Sequence, residues 1–529
     1  MALKVNTFSS EYWQQFTISK ADSEFIYNYL LDKEIPLASE AISLALIADR
    51  IQREQAASSK DKSVAEIIYK PKETFSVGDT IVFPSLAWEH GNVISVRNGV
   101  NPEITGLQVI EVEFEDSVIR NYAANYEEHA LNAEQNQRSF KNINIESIFK
   151  EYGNKIITEL EQFLSTNDDF VRIAGFWFPR SLVVDVHVGH LNLVEAILEE
   201  NKGGPLSTKA LMLQVDFKSN TNENLLEFSF NLALQEDSRF DEVGPAGETL
   251  WYLKALEPED VRVIPEFLIQ SSPPSTDQRI KGLIQQFEGV ESDELELSDV
   301  NEETSNSLKI SLLYPHWRSG TLPLTRNLKQ LFPTAYESAR IRFDFIDAES
   351  NQCFQGWVVR NGNYVSGLID WYQKHELIPG SLVSVWKGDK PGQILINAQK
   401  SRQNKEWLKT VLIGTDQALV LALLKQPVSV EFNERMVFMI TDVDALDIVR
   451  ANTVTRKESL ERTIIKMMRE LGKLNPQGHV HAQELYAAVN LIRRAPPSAV
   501  LEKVISEPQI SHLGDLYFRL TDSSEVNTV

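Results

Sequence analysis

Residues 191–217, LNLVEAILEENKGGPLSTKALMLQVDF, set apolar residues at helical spacing on both sides of a Gly-Gly-Pro turn. This predicts two helices, the second capped by Ser207 or Thr208. The next stretch, NENLLEFSFNLALQED (222–237), predicts a third helix, and RFDEVGPAGETLWYLKAL (239–256) predicts two short strands joined by a glycine-rich turn. Three helices followed by a β-wing make a winged helix. The order recurs at the end of the chain, where ESLERTIIKMMRELGKL, HVHAQELYAAVNLIRR and PPSAVLEKVISE read as helices and ISHLGDLYFRL as a wing. A duplicated module is therefore expected.

Working outward, ADSEFIYNYLLDK and PLASEAISLALIADRIQREQ read as two helices separated by Pro36, a pair that suits a partial winged helix. From Phe75 the apolar period changes to two, and turn signals at Val77-Gly78-Asp79, His90-Gly91-Asn92 and Arg97-Asn98-Gly99 predict a small antiparallel barrel. A helix, INIESIFKEYGNKIITELEQFLS, follows a polar link, and EGVESDELELSDVNEETSNS reads as an acidic, solvated linker. Beyond it LKISLLYP, ARIRFDFIDA, CFQGWVVR, SLVSVWKG and GQILINAQ read as strands, with the helical piece YVSGLIDWYQKHEL between two of them.

Three resemblances accompany these patterns. Leu193, Ala196, Ile197 and Leu198, then Gly204, Pro205, Leu206 and Ser207, then Arg239, Phe240, Gly247, Trp251 and Leu253 fit the pattern of the HARE-type winged helix. That family includes the delta subunit of bacterial RNA polymerase and some restriction-associated and chromatin proteins. The run VGDTIVFPSLAWEHGNVISV with VIEVEFEDSVIRNYA resembles the SH3-like or Tudor-like barrels of transcription-coupled factors, many of which bind polymerase or other proteins. Leu377, Pro379, Gly380, Ser381, Val383 and Val385 resemble the closing motif of the pseudobarrel DNA-binding domains of plant transcription factors and restriction enzymes, although Ser381 stands where that motif has an acidic residue.

The expected fold is α+β and multi-domain, with winged helices alternating with small antiparallel β-barrels. Residues 1–70 are expected to be helical, 71–135 an SH3/Tudor-like barrel, 136–270 a winged helix with a preceding helix, 271–306 an acidic linker, 307–455 a β-rich pseudobarrel-like domain, and 456–529 the C-terminal winged helix. Apolar residues form 42% and charged residues 24% of the 529, the range of folded globular chains. The N-terminus lacks the apolar core of a signal peptide, and no stretch approaches the ~20 apolar residues of a membrane span, so a cytoplasmic protein is expected. The single cysteine, Cys353, sits in the apolar context QCFQGW and reads as a packed thiol.

Charge divides the chain. Residues 307–529 hold 27 Lys and Arg against 23 Asp and Glu, a net of +4, which leaves −27 for residues 1–306. A polyanion is repelled by such a front half, whereas a basic protein surface is attracted to it. Nucleic-acid contact is therefore expected in the back half. The basic cluster there is Lys387, Lys390, Lys400, Arg402, Lys405 and Lys409 near Trp386 and Trp407, joined by Arg326, Lys329, Arg340, Arg342 and Arg360, and by Arg493, Arg494 and Lys503 around the last module's third helix. The third helix of the earlier module, NENLLEFSFNLALQED, has no Lys or Arg and four acidic residues, which disfavours a groove-reading role.

Signals for chemistry are weak. VGPAGET and KGGPLS lack the spacing and the lysine of a phosphate loop. His187 and His190 near Asp185, and His479 and His481, have no third and fourth ligand at recognisable spacing. Asp344, Asp347 and Glu349 are not followed by the Glu-x-Lys of a metal-dependent nuclease. No catalytic residue, metal or cofactor is expected. The reading is a non-enzymatic, transcription-associated or DNA-binding accessory protein, whose acidic N-terminal half engages a protein, RNA polymerase being the one the resemblances imply, and whose C-terminal half contacts DNA. The alternatives are a protein-interaction scaffold without nucleic-acid binding, and a restriction-system-associated protein.

Overall fold

The computed structural model describes residues 10–60, 67–83, 86, 89–101, 104, 106–114, 118–132, 144–218, 221–284, 307–390 and 392–521. The fold is α+β and multi-domain, with several small sheets, most of their strand pairs antiparallel. The chain forms two compact units, Met1–Arg172 with Phe176–Leu182, and Ile173–Gly175 with Val183–Val529.

Among the described residues one topology occurs three times. The first copy runs helix Lys20–Lys33, strand Leu37–Ala38, helix Ser39–Lys60, helix Ile145–Ser165, and strands Phe170–Ile173 and Phe176–Pro179. The second runs helix Val188–Glu200, strand Leu206–Ser207, helices Thr208–Gln214 and Glu223–Glu236, and strands Phe240–Glu242 and Leu250–Leu253. The third runs helix Leu460–Gly472, strand His479–His481, helices Ala482–Ile492 and Pro497–Ser506, and strands Ile510–Gly514 and Tyr517–Leu520. In each, the short first strand pairs with the last strand, which pairs in turn with the middle one. The register is shared: Leu37 opposes Trp177, Leu206 opposes Trp251 and Val480 opposes Phe518.

That register places three corresponding side chains at the centre of each copy, and in the first two they are hydrogen-bonded. In the first, Trp177 Nε1 donates to Ser39 Oγ (3.1 Å), which donates to Glu161 Oε1 (2.7 Å). In the second, Trp251 Nε1 donates to Asn231 Oδ1 (2.9 Å) and Thr208 Oγ1 (3.2 Å), and Thr208 donates to Asn231 (2.6 Å). Buried indole and hydroxyl groups need such partners. The third copy removes the need, with Phe518, Ala482 and Leu501 buried at the corresponding places.

The first copy completes itself across an insertion. Helix Ile145–Ser165 supplies Ile156, Leu160 and Leu164 to a core shared with Trp13, Phe16, Ile26, Leu30, Ile42 and Leu46. It therefore belongs to the first module, not to the 136–270 domain expected from the sequence, because an amphipathic period does not say which partner its apolar face meets. Buried Asp22 anchors this module. Burial pushes its carboxyl upward, but hydrogen bonds from Arg50, Ser19 and Arg53 hold it at about 2. The inserted sheet runs in order Ile67–Ile68, Thr80–Phe83, Glu89–Asn98, Gln108–Phe114, Ile119–Ala124. Tyr69 Oη donates to the Ala123 carbonyl (2.7 Å), and the amides of Asn125 and Tyr126 donate to the carbonyls of Glu73 and Pro71, tying the first segment to the last strand.

In the second unit a seven-stranded sheet has the order Ser307–Ser311, Leu382–Lys387, Gln393–Ala398, Arg340–Asp347, Cys353–Val359, Tyr364–Ser366, Thr321–Pro323, with one parallel pair, Arg340–Asp347 beside Gln393–Ala398. A long hairpin, Lys400–Ile413 with Leu419–Val430, follows. Its Val411, Leu419 and Leu421 share a core with Leu446 and Val449 of helix Val443–Thr455 and with Ile464, Met467, Leu485 and Phe518 of the third module. The expected boundary at 455/456 thus runs through continuous apolar packing. The expected linker also begins later than residue 271. Ser271 N donates to the Arg494 carbonyl (3.0 Å), Ser275 N donates to Ser498 Oγ (3.0 Å), and Ile280 and Ile284 join the same core. Residues 285–306, the most acidic part of that expectation, lie outside the described residues.

Candidate nucleic-acid interface

A helix–turn–helix module reads duplex DNA by laying its third helix in the major groove, so that helix needs an exposed face. Helix Glu223–Glu236 buries Leu225, Leu226, Phe228, Ser229, Phe230, Asn231, Leu232 and Leu234. Helix Pro497–Ser506 buries Pro497 to Leu501 and Val504, and helix Gln278–Ile284 packs against it. Neither offers a reading face. The second module's terminal hairpin is also engaged. Ala246 N donates to the Thr334 carbonyl (2.6 Å), Arg342 N donates to the Val243 carbonyl (2.9 Å), and Tyr252 meets Trp357 edge-on, ring centroids 5.3 Å apart.

The residues expected to meet nucleic acid divide sharply. Arg494 is 1% exposed and donates to Asn490 Oδ1 (3.3 Å). Arg493 donates to Ser271 Oγ (3.0 Å) and to the Glu458 carbonyl. Lys503 pairs with Glu461 (3.1 Å). These three hold the third module together and do not face a ligand. Lys409 is buried too, its ammonium shared by Glu484 (2.8 Å) and the carbonyls of Glu434 and Arg435, while burial pulls its pKa down. Arg340 pairs with Asp241 (2.6 Å) and lies 3.2 Å from Glu257, fastening the second module to the sheet. Arg342 is half-buried, 3.8 Å from Asp344, and Lys400 pairs with Glu349 (2.6 Å). The Arg402 side chain lies outside the described residues.

Arg326, Lys329, Arg360, Lys387, Lys390 and Lys405 remain exposed. Four of them line two adjoining clefts. One, of about 620 Å³, carries Lys329 and Arg360 with Tyr336, Ser338 and Asn361. The other, of about 440 Å³, carries Lys387 and Lys390 with Gln330, Gln393 and the Pro245-Ala246 turn. Phe332, Pro333 and Thr334 line both, forming the rib between them. Arg360 is aimed by its bond to the Ser338 carbonyl (2.8 Å). Glu337 and Asp389 are the carboxylates among the lining residues. Four cations against two carboxylates give a surface suited to a polyanion backbone.

Neither strand of the hairpin, Lys400–Ile413 or Leu419–Val430, is among those expected from the sequence, nor is Lys425, which lies across from Trp407 with its ammonium 5.5 Å from the indole centroid. The available signal is the Gly414-Thr415-Asp416 turn between two apolar runs, 411–413 and 418–424. Cys353 is exposed, not packed, because QCFQGW starts a strand at its solvent end.

Three of the groups weighed for chemistry, Asp347, His187 and His481, have structural partners. Asp347 is buried and accepts from Ser350 Oγ (2.7 Å) and the Glu349 amide (3.0 Å), with His375 Nε2 at 3.0 Å. Burial raises its pKa, but these bonds hold it well below the carboxylate range. His187 and His481 each cap a helix through Nδ1, accepting from Gly189 N and Gln483 N. Burial, with the charge of Arg435, holds His481 down at about 4, so the imidazole is neutral and free to accept. Among the described residues no group of three His, Cys, Asp or Glu side chains is arranged to hold a metal ion, and no helix is long and apolar enough to cross a membrane. No family model matches the chain, and no curated protein matches it.

Proposed function

We propose that this chain is a non-enzymatic accessory protein of DNA or of the transcription machinery, and that its second unit meets the DNA backbone through the paired clefts on either side of Phe332–Thr334. The observation that carries the reading is the gathering of Lys329, Arg360, Lys387 and Lys390, four of the six candidates left exposed, along two adjoining clefts, while Arg340, Lys400, Lys409, Arg493, Arg494 and Lys503 are engaged in packing, hydrogen bonds and ion pairs. The three helix–strand–helix–helix–hairpin modules are winged helices in this reading. Two of them serve as building blocks, because their third helices are covered. The acidic front half recruits a basic protein surface, and RNA polymerase is the partner implied by the resemblance of 193–253 and 77–123 to transcription-associated modules.

Contacts of this kind go to phosphates, so they set affinity and salt response and carry little sequence preference. The test is a titration of the full chain against a short duplex over a series of salt concentrations. Four phosphate contacts predict a slope of log K against log salt of about −3 to −4. Lys387→Ala with Lys390→Ala lowers that magnitude by about 2. Absence of binding at low salt, or a flat response, removes the nucleic-acid reading and leaves the protein-interaction scaffold.

A further inference from the structure

The hairpin Lys400–Ile413 and Leu419–Val430 carries a second surface that the clefts do not include. Residues directly opposite in an antiparallel pair project to the same side, and alternate residues share that side. The register Lys405↔Pro427, Trp407↔Lys425 and Lys409↔Leu423 therefore puts Lys405, Trp407, Lys425 and Leu423 on one face. Glu406, opposite Gln426, belongs to the other. The inner end of this face is fixed, with Lys409 held by Glu484 and with Val411 and Leu421 in the core. The outer part is open: Trp407 is 60% exposed, Leu423 is 45% exposed, and Lys405 and Lys425 are exposed.

A tryptophan this exposed on a two-stranded ribbon leaves much of a large apolar ring in water, with the Lys425 ammonium over it at 5.5 Å from the centroid. The charge around it selects the occupant. The charged residues at the open paired positions, Lys405 and Lys425, are both lysines, so an acidic partner with flat rings fits better than an apolar or basic peptide. We infer that the Trp407 face binds single-stranded nucleic acid, one base stacking on the indole while Lys405 and Lys425 meet the flanking phosphates. Stacking of this kind tolerates sequence, because every base has a π-face, and it requires an unpaired base, because in a duplex the rings are already stacked on one another. This rests on the nucleic-acid reading above and adds the strand state that the ribbon prefers.

The test uses the full chain and two fluorescent probes, an oligo-dT strand and a duplex of equal length, read by anisotropy. Trp407→Ala weakens oligo-dT binding roughly tenfold, and Trp407→Phe, which keeps a stacking ring, restores most of it. Duplex affinity stays within about twofold in both variants, whereas the Lys387→Ala, Lys390→Ala pair weakens the duplex. Wild-type protein that binds neither probe overturns the nucleic-acid reading itself. Wild-type protein that binds the duplex while Trp407→Ala leaves oligo-dT affinity unchanged overturns this inference alone. So does equal loss on both probes, and so does a Trp407→Ala variant that changes self-association but not oligo-dT affinity, which would reassign the ribbon to a second copy of the chain.

Discussion

The second and third modules of the large unit share one topology and one strand register, yet their interiors and surfaces are built on opposite chemistry. The second centres on a hydrogen-bonded trio, Trp251, Thr208 and Asn231, and the third on Phe518, Ala482 and Leu501. The second packs its terminal hairpin on the sheet, through Val243, Ala246 and Tyr252, while the third leaves His512, Leu513 and Tyr517 exposed. What is preserved is the pairing of a short strand with the last strand of a hairpin. The side chains that satisfy the centre are interchangeable only as complete sets, since a buried donor without its acceptor is costly.

That comparison can be broken in three ways. Trp251→Ala should cost about 4 kcal/mol of unfolding free energy, measured by urea denaturation with circular dichroism. Asn231→Leu alone should cost about 2 kcal/mol by stranding the Thr208 hydroxyl and leaving the indole only its 3.2 Å bond to Thr208 Oγ1. The triple change Trp251→Phe, Thr208→Ala, Asn231→Leu, which copies the third module, should cost less than the sum of its singles by more than about 1 kcal/mol. Additivity would show that the two centres are not alternative solutions to one problem.

The wings give the second contrast. A Cβ on Gly244 would lie 1.9 Å from the Glu248 carbonyl oxygen, inside the docked turn, so Gly244→Ala should cost about 3 kcal/mol. Gly514, at φ +100° with open space around it, meets only backbone strain, and Gly514→Ala should cost about 1 kcal/mol in the same assay. Equal costs would mean that the turn around Gly244 gives way to the added methyl as easily as the open turn at Gly514 does.

The smallest expected effect is the pH response of the docked face. Burial pushes Glu242 up to about 8, and burial with the neighbouring charge of Asp241 pushes Glu257 in the same direction. A carboxyl raised on folding contributes stability that is present at low pH and lost as pH rises through the folded value. Unfolding free energy should therefore fall by on the order of 1 kcal/mol between pH 7 and pH 9. Depressed His481 acts in the opposite sense but only between about 4 and its ordinary value, below this window. Glu257→Gln should reduce the slope and raise the denaturation midpoint at pH 9. A slope unchanged by that substitution would remove Glu257 from the account.

Much of the module order was legible because helix caps, the Gly-Gly-Pro turn and the period-two wings are local signals. The Leu206-Ser207-Thr208 stretch announces a strand entering a capped helix within a few residues. Partnership was not legible. Helix Ile145–Ser165 returns to Trp13 and Leu46 across an inserted sheet, and 271–284 packs on the third module, contacts between residues far apart in the chain. The candidate surface was legible only as a list of cations. Lys387 and Lys390 look no different in sequence from Lys409 or Arg494, and what separates them is whether Glu484, Asn490 or a backbone carbonyl is waiting nearby in space.

The most direct measurement is hydrogen–deuterium exchange of the full chain with and without a saturating short duplex. The account predicts protection in the segments 329–339, 387–390 and 392–394 that carry the cleft-lining residues, with helices Glu223–Glu236 and Pro497–Ser506 unchanged. Protection concentrated in either of those helices, with the cleft segments unaffected, would contradict it.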